Sequence, residues 1–154
     1  MKPFLLLSGL LVALSPLSVL SAHEAPCPYC GKAITQDTAT QDNEVALKYG
    51  RKRIEYKCVY CALSEAKTEY PNGALSIQAP SEIKGAPVVL KRSEGKWSAL
   101  PATAVFVSHS KLKHSVCDAQ ARAFTTEAAA KKYIADQKLD SAPLSLAQML
   151  ELAK

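Results

Sequence analysis

The chain has 154 residues, of which 48% are hydrophobic and 21% are charged, with 19 Lys and Arg against 14 Asp and Glu. This length favours one domain, and apolar and charged fractions near the globular average exclude a disordered tail, a collagen-like repeat and a multi-span membrane protein. Aromatic residues make up only 6% of the chain and the net charge of +5 is modest, so we expect no nucleic-acid partner.

The first 22 residues have the layout of a secretory signal peptide. Met1 and Lys2 form a short positive start, residues 4–19 are mostly apolar, and small residues follow up to Ala22. The apolar stretch contains a proline and is too short for a good membrane span, so we expect cleavage after Ala22, or one residue earlier, without stable membrane insertion. The sequence therefore predicts an exported protein located in the periplasm.

All five cysteines belong to the predicted mature chain. They are Cys27, Cys30, Cys58, Cys61 and Cys117. In an oxidising compartment an odd number leaves at least one thiol unpaired within the monomer, so that thiol is buried, paired between chains or bound to a metal. A Cys117–Cys117 disulfide would give a homodimer and use up the odd thiol.

Four of the cysteines form two Cys-x-x-Cys pairs separated by a predicted hairpin. The first pair stands in Cys27-Pro28-Tyr29-Cys30-Gly31, a tight turn that aims both sulfur atoms at one point, with a positive φ at the glycine. Apolar residues alternate along 45–49 and 54–58, on either side of a turn at 50–52. The second pair precedes a short predicted helix over 62–70, with Cys61 near its first turn. The helix dipole favours a thiolate at that position.

This order of a knuckle, a hairpin and a helix predicts a treble-clef metal site with four cysteine ligands, Cys27, Cys30, Cys58 and Cys61. Two alternatives stay open at this stage. One is a pair of structural disulfides, which export permits, and the other is a thioredoxin-like redox pair.

The second half of the chain predicts more strands and two helices. Strands are expected at 85–90, 97–100, 103–107 and 119–124, and helices from Thr125 or Thr126 through Lys138 and over 143–152, the latter with Met149 in the core. The predicted fold class is α+β, with small antiparallel sheets. A treble-clef-like half (residues 23–84) and a strand-rich half with two C-terminal helices (residues 85–154) together form one compact domain.

A polar loop between two of these strands carries a second set of candidate ligands. His109, His114 and Cys117 fall within nine residues, and imidazole plus thiolate suits Cu(I) or Zn(II). The alternative is two surface histidines and a buried apolar cysteine. His23 becomes the N-terminal residue if cleavage follows Ala22, and its amino nitrogen and imidazole would then chelate Cu(II). The alternative is that His23 is disordered and binds no metal.

Two resemblances rest on these residues. The segment from Cys27 to Cys61 resembles the TRASH/YHS-type treble-clef modules, which are associated with heavy-metal sensing and trafficking. More widely, the chain resembles the NosL family of accessory copper-binding proteins in nitrous oxide reductase maturation. The similarity covers most of residues 27–152 and is carried by Cys-Pro-x-Cys-Gly, Tyr49-Gly50-Arg51-Lys52, Val105-Phe106-Val107-Ser108 and Ala123-Phe124-Thr125-Thr126-Glu127-Ala128-Ala129-Ala130.

The resemblance implies that Cys117 lies where this family has a ligand methionine, which would replace one soft copper ligand by a stronger one. The chain departs from the family in three ways. It has no lipobox cysteine, Lys32 follows Gly31 in place of methionine, and the pair Cys58/Cys61 belongs to the TRASH-like pattern. A role in nitrous oxide reduction does not follow.

The function that we expect from the sequence is that of a periplasmic carrier, chaperone or buffer of a soft metal ion, which supports metalloenzyme assembly or metal homeostasis. The expected ion is Cu(I), with zinc as the alternative, and the expected partner is an exported protein that donates or receives it. The two cysteine pairs form the first site, and Cys117 with His109 or His114 forms a second, more exchangeable one. No catalytic residue is expected, and the alternatives are a thiol–disulfide oxidoreductase and a metal-free, disulfide-stapled interaction module.

Overall fold

The computed structural model of the protein describes residues 23–36, 45–108 and 121–154. Within these ranges the chain has the predicted α+β fold, with small antiparallel sheets and three helices. The strands are β1 (His23–Pro26), β2 (Ala33–Gln36), β3 (Val45–Tyr49), β4 (Lys52–Tyr56), β5 (Leu75–Ala79), β6 (Val88–Ser93), β7 (Lys96–Leu100), β8 (Val105–Val107) and β9 (Arg122–Phe124). The helices are α1 (Val59–Thr68), α2 (Glu127–Asp136) and α3 (Leu146–Leu152).

The central sheet has five antiparallel strands in the order β4-β3-β5-β6-β7. Its β3–β4 hairpin is the one predicted from the alternating apolar residues, but β4 begins at Lys52, two residues earlier than predicted. The reason is the turn, which takes only two residues and starts at Gly50 with φ 58°. A glycine at the first central position is typical of the tight turns that hairpins favour.

Strands β1, β2 and β5 were not predicted from the sequence. β1 and β2 pair with each other on either side of the first cysteine pair. β5 lies between β3 and β6, and its residues Leu75, Ile77 and Ala79 are buried. The strand predicted from residue 85 begins instead at Val88, because Gly85 has φ 77° and Pro87 has no N–H to pair.

The residues after β7 form a two-stranded sheet, β8–β9, and the two predicted helices. The hydroxyl of Thr126 accepts a hydrogen bond from the Ala129 N–H (3.2 Å) and caps α2. α3 starts after Ser145, which forms a capping box with Gln148, and so begins later than the predicted residue 143. Met149 is fully buried, which confirms its predicted place in the core.

Helix α1 packs on the central sheet, and Arg92 of β6 fixes its C-terminal end. Arg92 is only 5% exposed, and its guanidinium carbon lies 5.6 Å from the centre of the Trp97 ring. Its guanidinium donates hydrogen bonds to the backbone carbonyls of Ala66, Tyr70, Asn72 and Gly73. These carbonyls belong to the last turn of α1 and to the turn that follows it. The buried Arg92 side chain therefore fixes the orientation of α1, which carries cysteines at its other end.

The described helices are all too short and too polar to cross a membrane. The predicted signal peptide, residues 1–22, lies outside the described residues.

Candidate metal centre

The turn between β1 and β2 carries the first cysteine pair. The Cys27 N–H donates to the Lys32 carbonyl (2.9 Å), and the Gly31 N–H donates to the Cys27 carbonyl (2.8 Å). Gly31 has φ 72°, the positive value that the sequence predicted for this position. These bonds close a tight knuckle in which Cys27 and Cys30 are held on one turn.

The second pair lies at the start of α1. Cys58 is the N-cap residue, with an extended backbone (φ −159°, ψ 171°), and Cys61 lies in the first turn, as predicted. The Val59 N–H donates to the Ala121 carbonyl (3.2 Å), which ties the start of the helix to the residue before β9. The Ala62 N–H donates to the Cys58 carbonyl (3.2 Å), the first bond of the helix.

The fold brings three of the four cysteines into one group. The sulfur atoms of Cys27, Cys30 and Cys61 all lie within 4.8 Å of one another. Cys58 is outside this group, but its Sγ atom lies 3.7 Å from the Sγ atom of Cys61. Cys27, Cys58 and Cys61 are 1%, 4% and 0% exposed, and Cys30 is partly exposed. The four described cysteines are not joined to one another by disulfides, so the group can bind a metal ion through three thiolates.

The sulfur atoms differ in their affinity for protons. A hydrogen bond from the Cys61 thiol, together with the backbone amide of Lys57, outweighs burial and lowers the pKa of Cys27 to about 5. The Cys61 thiol, with backbone amides that include that of Ala121, also lowers the pKa of Cys58 to about 7. The pKa of Cys61 is raised, because its proton is shared with both neighbouring sulfur atoms and its side chain is buried. The thiolate predicted at Cys61 is therefore stabilised at Cys27 and Cys58 instead, with Cys61 as the proton donor.

A buried tyrosine completes the surroundings of the group. The Tyr56 hydroxyl has no hydrogen-bond partner among the described residues. Burial, then the nearby charges of Glu65, Tyr70 and the sulfur atoms of Cys27 and Cys61, raises its pKa. Soft sulfur donors suit a soft metal ion.

The position of four further predicted ligands relative to this group is not described. His109, His114 and Cys117 lie outside the described residues, so their site stays a prediction. His23 is the first residue of β1, where its backbone pairs with that of Gln36.

Sequence reasoning missed a cavity of about 530 Å³ beside Cys58. Its wall combines the start of β3, the residues before α1, the loop after β5, β9 and α2. The lining residues are Val45, Lys57, Cys58, Pro80, Ser81, Glu82, Ala121, Arg122, Ala123, Phe124 and Tyr133. These residues come from separate parts of the chain, and no local pattern connects them.

No protein-family model and no curated protein matches the sequence. Among solved structures, the fold is similar to that in a crystal structure of the mercury-bound form of MerB2, with a TM-score of 0.56 and 17% sequence identity. The match covers 71% of this chain and 55% of that chain, so this protein spans about half the length of MerB2. At this identity the likeness shows a shared fold.

Proposed function

We propose that this protein is an exported carrier or buffer of a soft metal ion, Cu(I), held by Cys27, Cys30 and Cys61. The observation that carries the proposal is the mutual distance of their sulfur atoms, all within 4.8 Å of one another. The three thiols come from a knuckle and from a helix 31 residues further along the chain, counted from Cys30 to Cys61. Such convergence of largely buried thiols from separate elements is typical of metal sites.

The donor set supports Cu(I) as the cargo. A closed structural zinc site has four ligands, and among the described residues the group contains three sulfur atoms, with Cys58 beside it. Soft thiolates are the ligands that Cu(I) prefers. Zinc is the alternative ion, and among the described cysteines Cys58 is the one that could join the group as its fourth ligand.

The partial exposure of Cys30 supports a carrier more than a permanent metal site. A carrier exchanges ligands with its partner one at a time, which needs at least one ligand near the surface. The partner in this proposal is an exported protein that donates or receives the ion. Export rests on the predicted signal peptide, and the accessory role on the resemblance to the NosL family. The second site at Cys117, His109 and His114 belongs to the same proposal.

The test is the metal content and free-thiol count of the mature protein, purified from the periplasm under anaerobic conditions without chelator. We expect about one or two equivalents of copper per chain, with thiols that react with a labelling reagent only after a chelator is added. The double variant Cys27→Ser/Cys30→Ser should lose the copper of the three-cysteine group. A metal-free protein with four sulfur atoms released only by reductant would overturn the proposal.

A thiol–disulfide oxidoreductase is the second candidate, favoured by the 3.7 Å distance between the Cys58 and Cys61 sulfur atoms and by the lowered pKa of Cys58. Oxidation of this pair would give a disulfide while a substrate disulfide takes up the two electrons and two protons. This function requires a reduction potential between about −270 and −120 mV, the range of known exchange proteins. A value well below that range would exclude it.

A further inference from the structure

Cys58 lies between the three-cysteine group and the cavity. Its Sγ atom is 3.7 Å from that of Cys61, and the residue also lines the cavity. Of the four cysteines in the described ranges, it is the one that contributes to this wall. A metal ion bound at Cys58 from the cavity would therefore already be next to a ligand of the group.

The size and charge of the cavity suit a small anionic molecule. Its volume of about 530 Å³ falls in the range of small-ligand sites, roughly 300–1,000 Å³. Of the described residues that line it, Lys57 and Arg122 are cationic and Glu82 is acidic. The Glu82 carboxylate already accepts hydrogen bonds from the amide and the hydroxyl of Thr125.

The two cations have defined positions. The Lys57 ammonium donates a hydrogen bond to the Ala33 carbonyl of β2 (2.8 Å). Lys57 therefore lies between the cavity and the β1–β2 sheet. The guanidinium carbon of Arg122 lies 5.5 Å from the centre of the Tyr133 ring, another lining residue. Both cations retain further N–H groups that can bind a carboxylate.

We propose that the cavity binds a small thiol that carries carboxylates, in its complex with the metal ion, and that Cys58 is the first protein ligand to take the ion. This inference rests on the proposed function, because it supplies the entry route to the same group. Lys57 and Arg122 bind the carboxylates of the incoming complex.

The transfer is a ligand exchange in three steps. The Cys58 thiolate forms a bond to the ion as one carrier thiolate leaves, and Cys61 then replaces the second carrier thiolate. Cys27 and Cys30 finally replace Cys58. Each cysteine that binds as a thiol releases one proton, which a departing carrier thiolate takes up. Cys58 binds and leaves as a thiolate and exchanges no proton, and the ion keeps its oxidation state throughout.

The test measures how fast the reduced, metal-free protein loads Cu(I) presented as its glutathione complex or as its acetonitrile complex. Cys58→Ser should slow loading from the glutathione complex at least about tenfold, with as much copper bound at the end as in the wild-type protein. Serine is a preferred N-cap residue, so α1 keeps its start in this variant.

The charge of the cavity is tested by Arg122→Glu. We expect loading from the glutathione complex to slow about tenfold, because electrostatic attraction of an anionic ligand changes association rates by this order. Loading from the acetonitrile complex, which has no carboxylates, should not slow. Lys96→Glu is the matched control, since it makes the same charge change on an exposed lysine of β7 that does not line the cavity.

Unchanged rates in both Cys58→Ser and Arg122→Glu would overturn the inference while the wild-type protein still binds one copper. A wild-type protein that takes copper from neither complex would overturn the proposed function itself. The two failures are thus distinguishable in one set of measurements.

Discussion

The Sγ atom of Cys61 lies 3.7 Å from that of Cys58 and is also one of the three sulfur atoms that lie within 4.8 Å of one another. Cys61 therefore connects the group to the cysteine at the cavity. Loss of the Cys61 sulfur removes one ligand of the group and also the contact with Cys58, whereas loss of Cys58 leaves the three-cysteine group complete.

Cys61→Ser should lower the affinity for Cu(I) by about 100-fold or more, because removal of a ligand costs more than removal of a group that merely orients one. Competition with a chromophoric Cu(I) chelator measures the change. Thr68→Ala, at the far end of α1, is the matched control and should keep the wild-type affinity. Equal affinities of Cys61→Ser and wild type would contradict the three-thiolate site.

Arg92→Lys should lower the free energy of unfolding by about 2 kcal/mol, and Arg92→Ala by about 3 kcal/mol or more, because buried acceptors left without a donor are costly. A lysine cannot reach the four carbonyls that the planar guanidinium bonds. Urea unfolding of the metal-free protein measures both values. The exposed Lys91, the preceding residue of β6, gives the control Lys91→Ala, which should change stability by less than about 0.5 kcal/mol.

Tyr56→Phe should stabilise the metal-free protein by about 1 kcal/mol, because it removes a buried hydroxyl that has no hydrogen-bond partner in the described part of the chain. The ring stays in place and keeps its packing. Thermal and urea unfolding measure the change. A loss of stability would show that the hydroxyl donates a hydrogen bond in solution, with the nearby sulfur atoms as its first candidate acceptors.

Glu82 should make stability depend on pH in the acid range. Partial burial raises the pKa of its carboxyl, but the hydrogen bonds from Thr125 outweigh burial, and the net pKa lies below the ordinary value of 4.5. A carboxyl with a lowered folded-state pKa stabilises the fold fully above its unfolded-state value and loses that contribution as pH falls through the folded-state value.

The Glu82→Gln variant tests this dependence. The stability difference between wild type and variant should be largest at neutral pH and should shrink as the pH falls below 4.5. Thermal unfolding at a series of pH values measures it. Thr125→Val removes the hydroxyl that donates to the Glu82 carboxylate. The stability difference between wild type and this variant should also shrink as the pH falls. A difference that stays constant down to strongly acid pH would rule out this role for Glu82.

Cys117→Ser tests the predicted second site. If Cys117 and the two histidines bind an ion, the variant should lose about one equivalent of copper while the ion at the three-cysteine group remains. Metal analysis after gel filtration measures the content, and non-reducing electrophoresis of wild type and variant detects a Cys117–Cys117 dimer. Unchanged copper content in the variant would remove Cys117 from the set of ligands.

Local patterns predicted much of the fold and part of the site. The knuckle, the hairpin and the start of α1 could be predicted because Gly31, the alternation along 45–49 and the Cys-x-x-Cys spacings act over a few residues. β5 was missed because its five residues become a strand only through pairing with β3 and β6, which lie elsewhere in the chain.

The separation of Cys58 from the group could not be predicted from spacing. Two cysteines three residues apart share a face when both are helical, but Cys58 precedes the helix and has an extended backbone. Its side chain therefore leaves the chain in a different direction from a helical residue. The cavity beside it depends on contacts between distant segments, which no stretch of sequence displays.

Among the described strands, the sheet formed by β1 and β2 pairs with neither of the other sheets. The Lys57–Ala33 hydrogen bond and the packing of Ile34 in the core help to hold it against the rest of the fold. An ion shared by Cys27, Cys30 and Cys61 would add a removable crosslink across this junction and close a long loop of chain. Cargo binding and the anchoring of the N-terminal end are then one event, so amide hydrogen exchange in β1 and β2 would report whether the protein is loaded or empty.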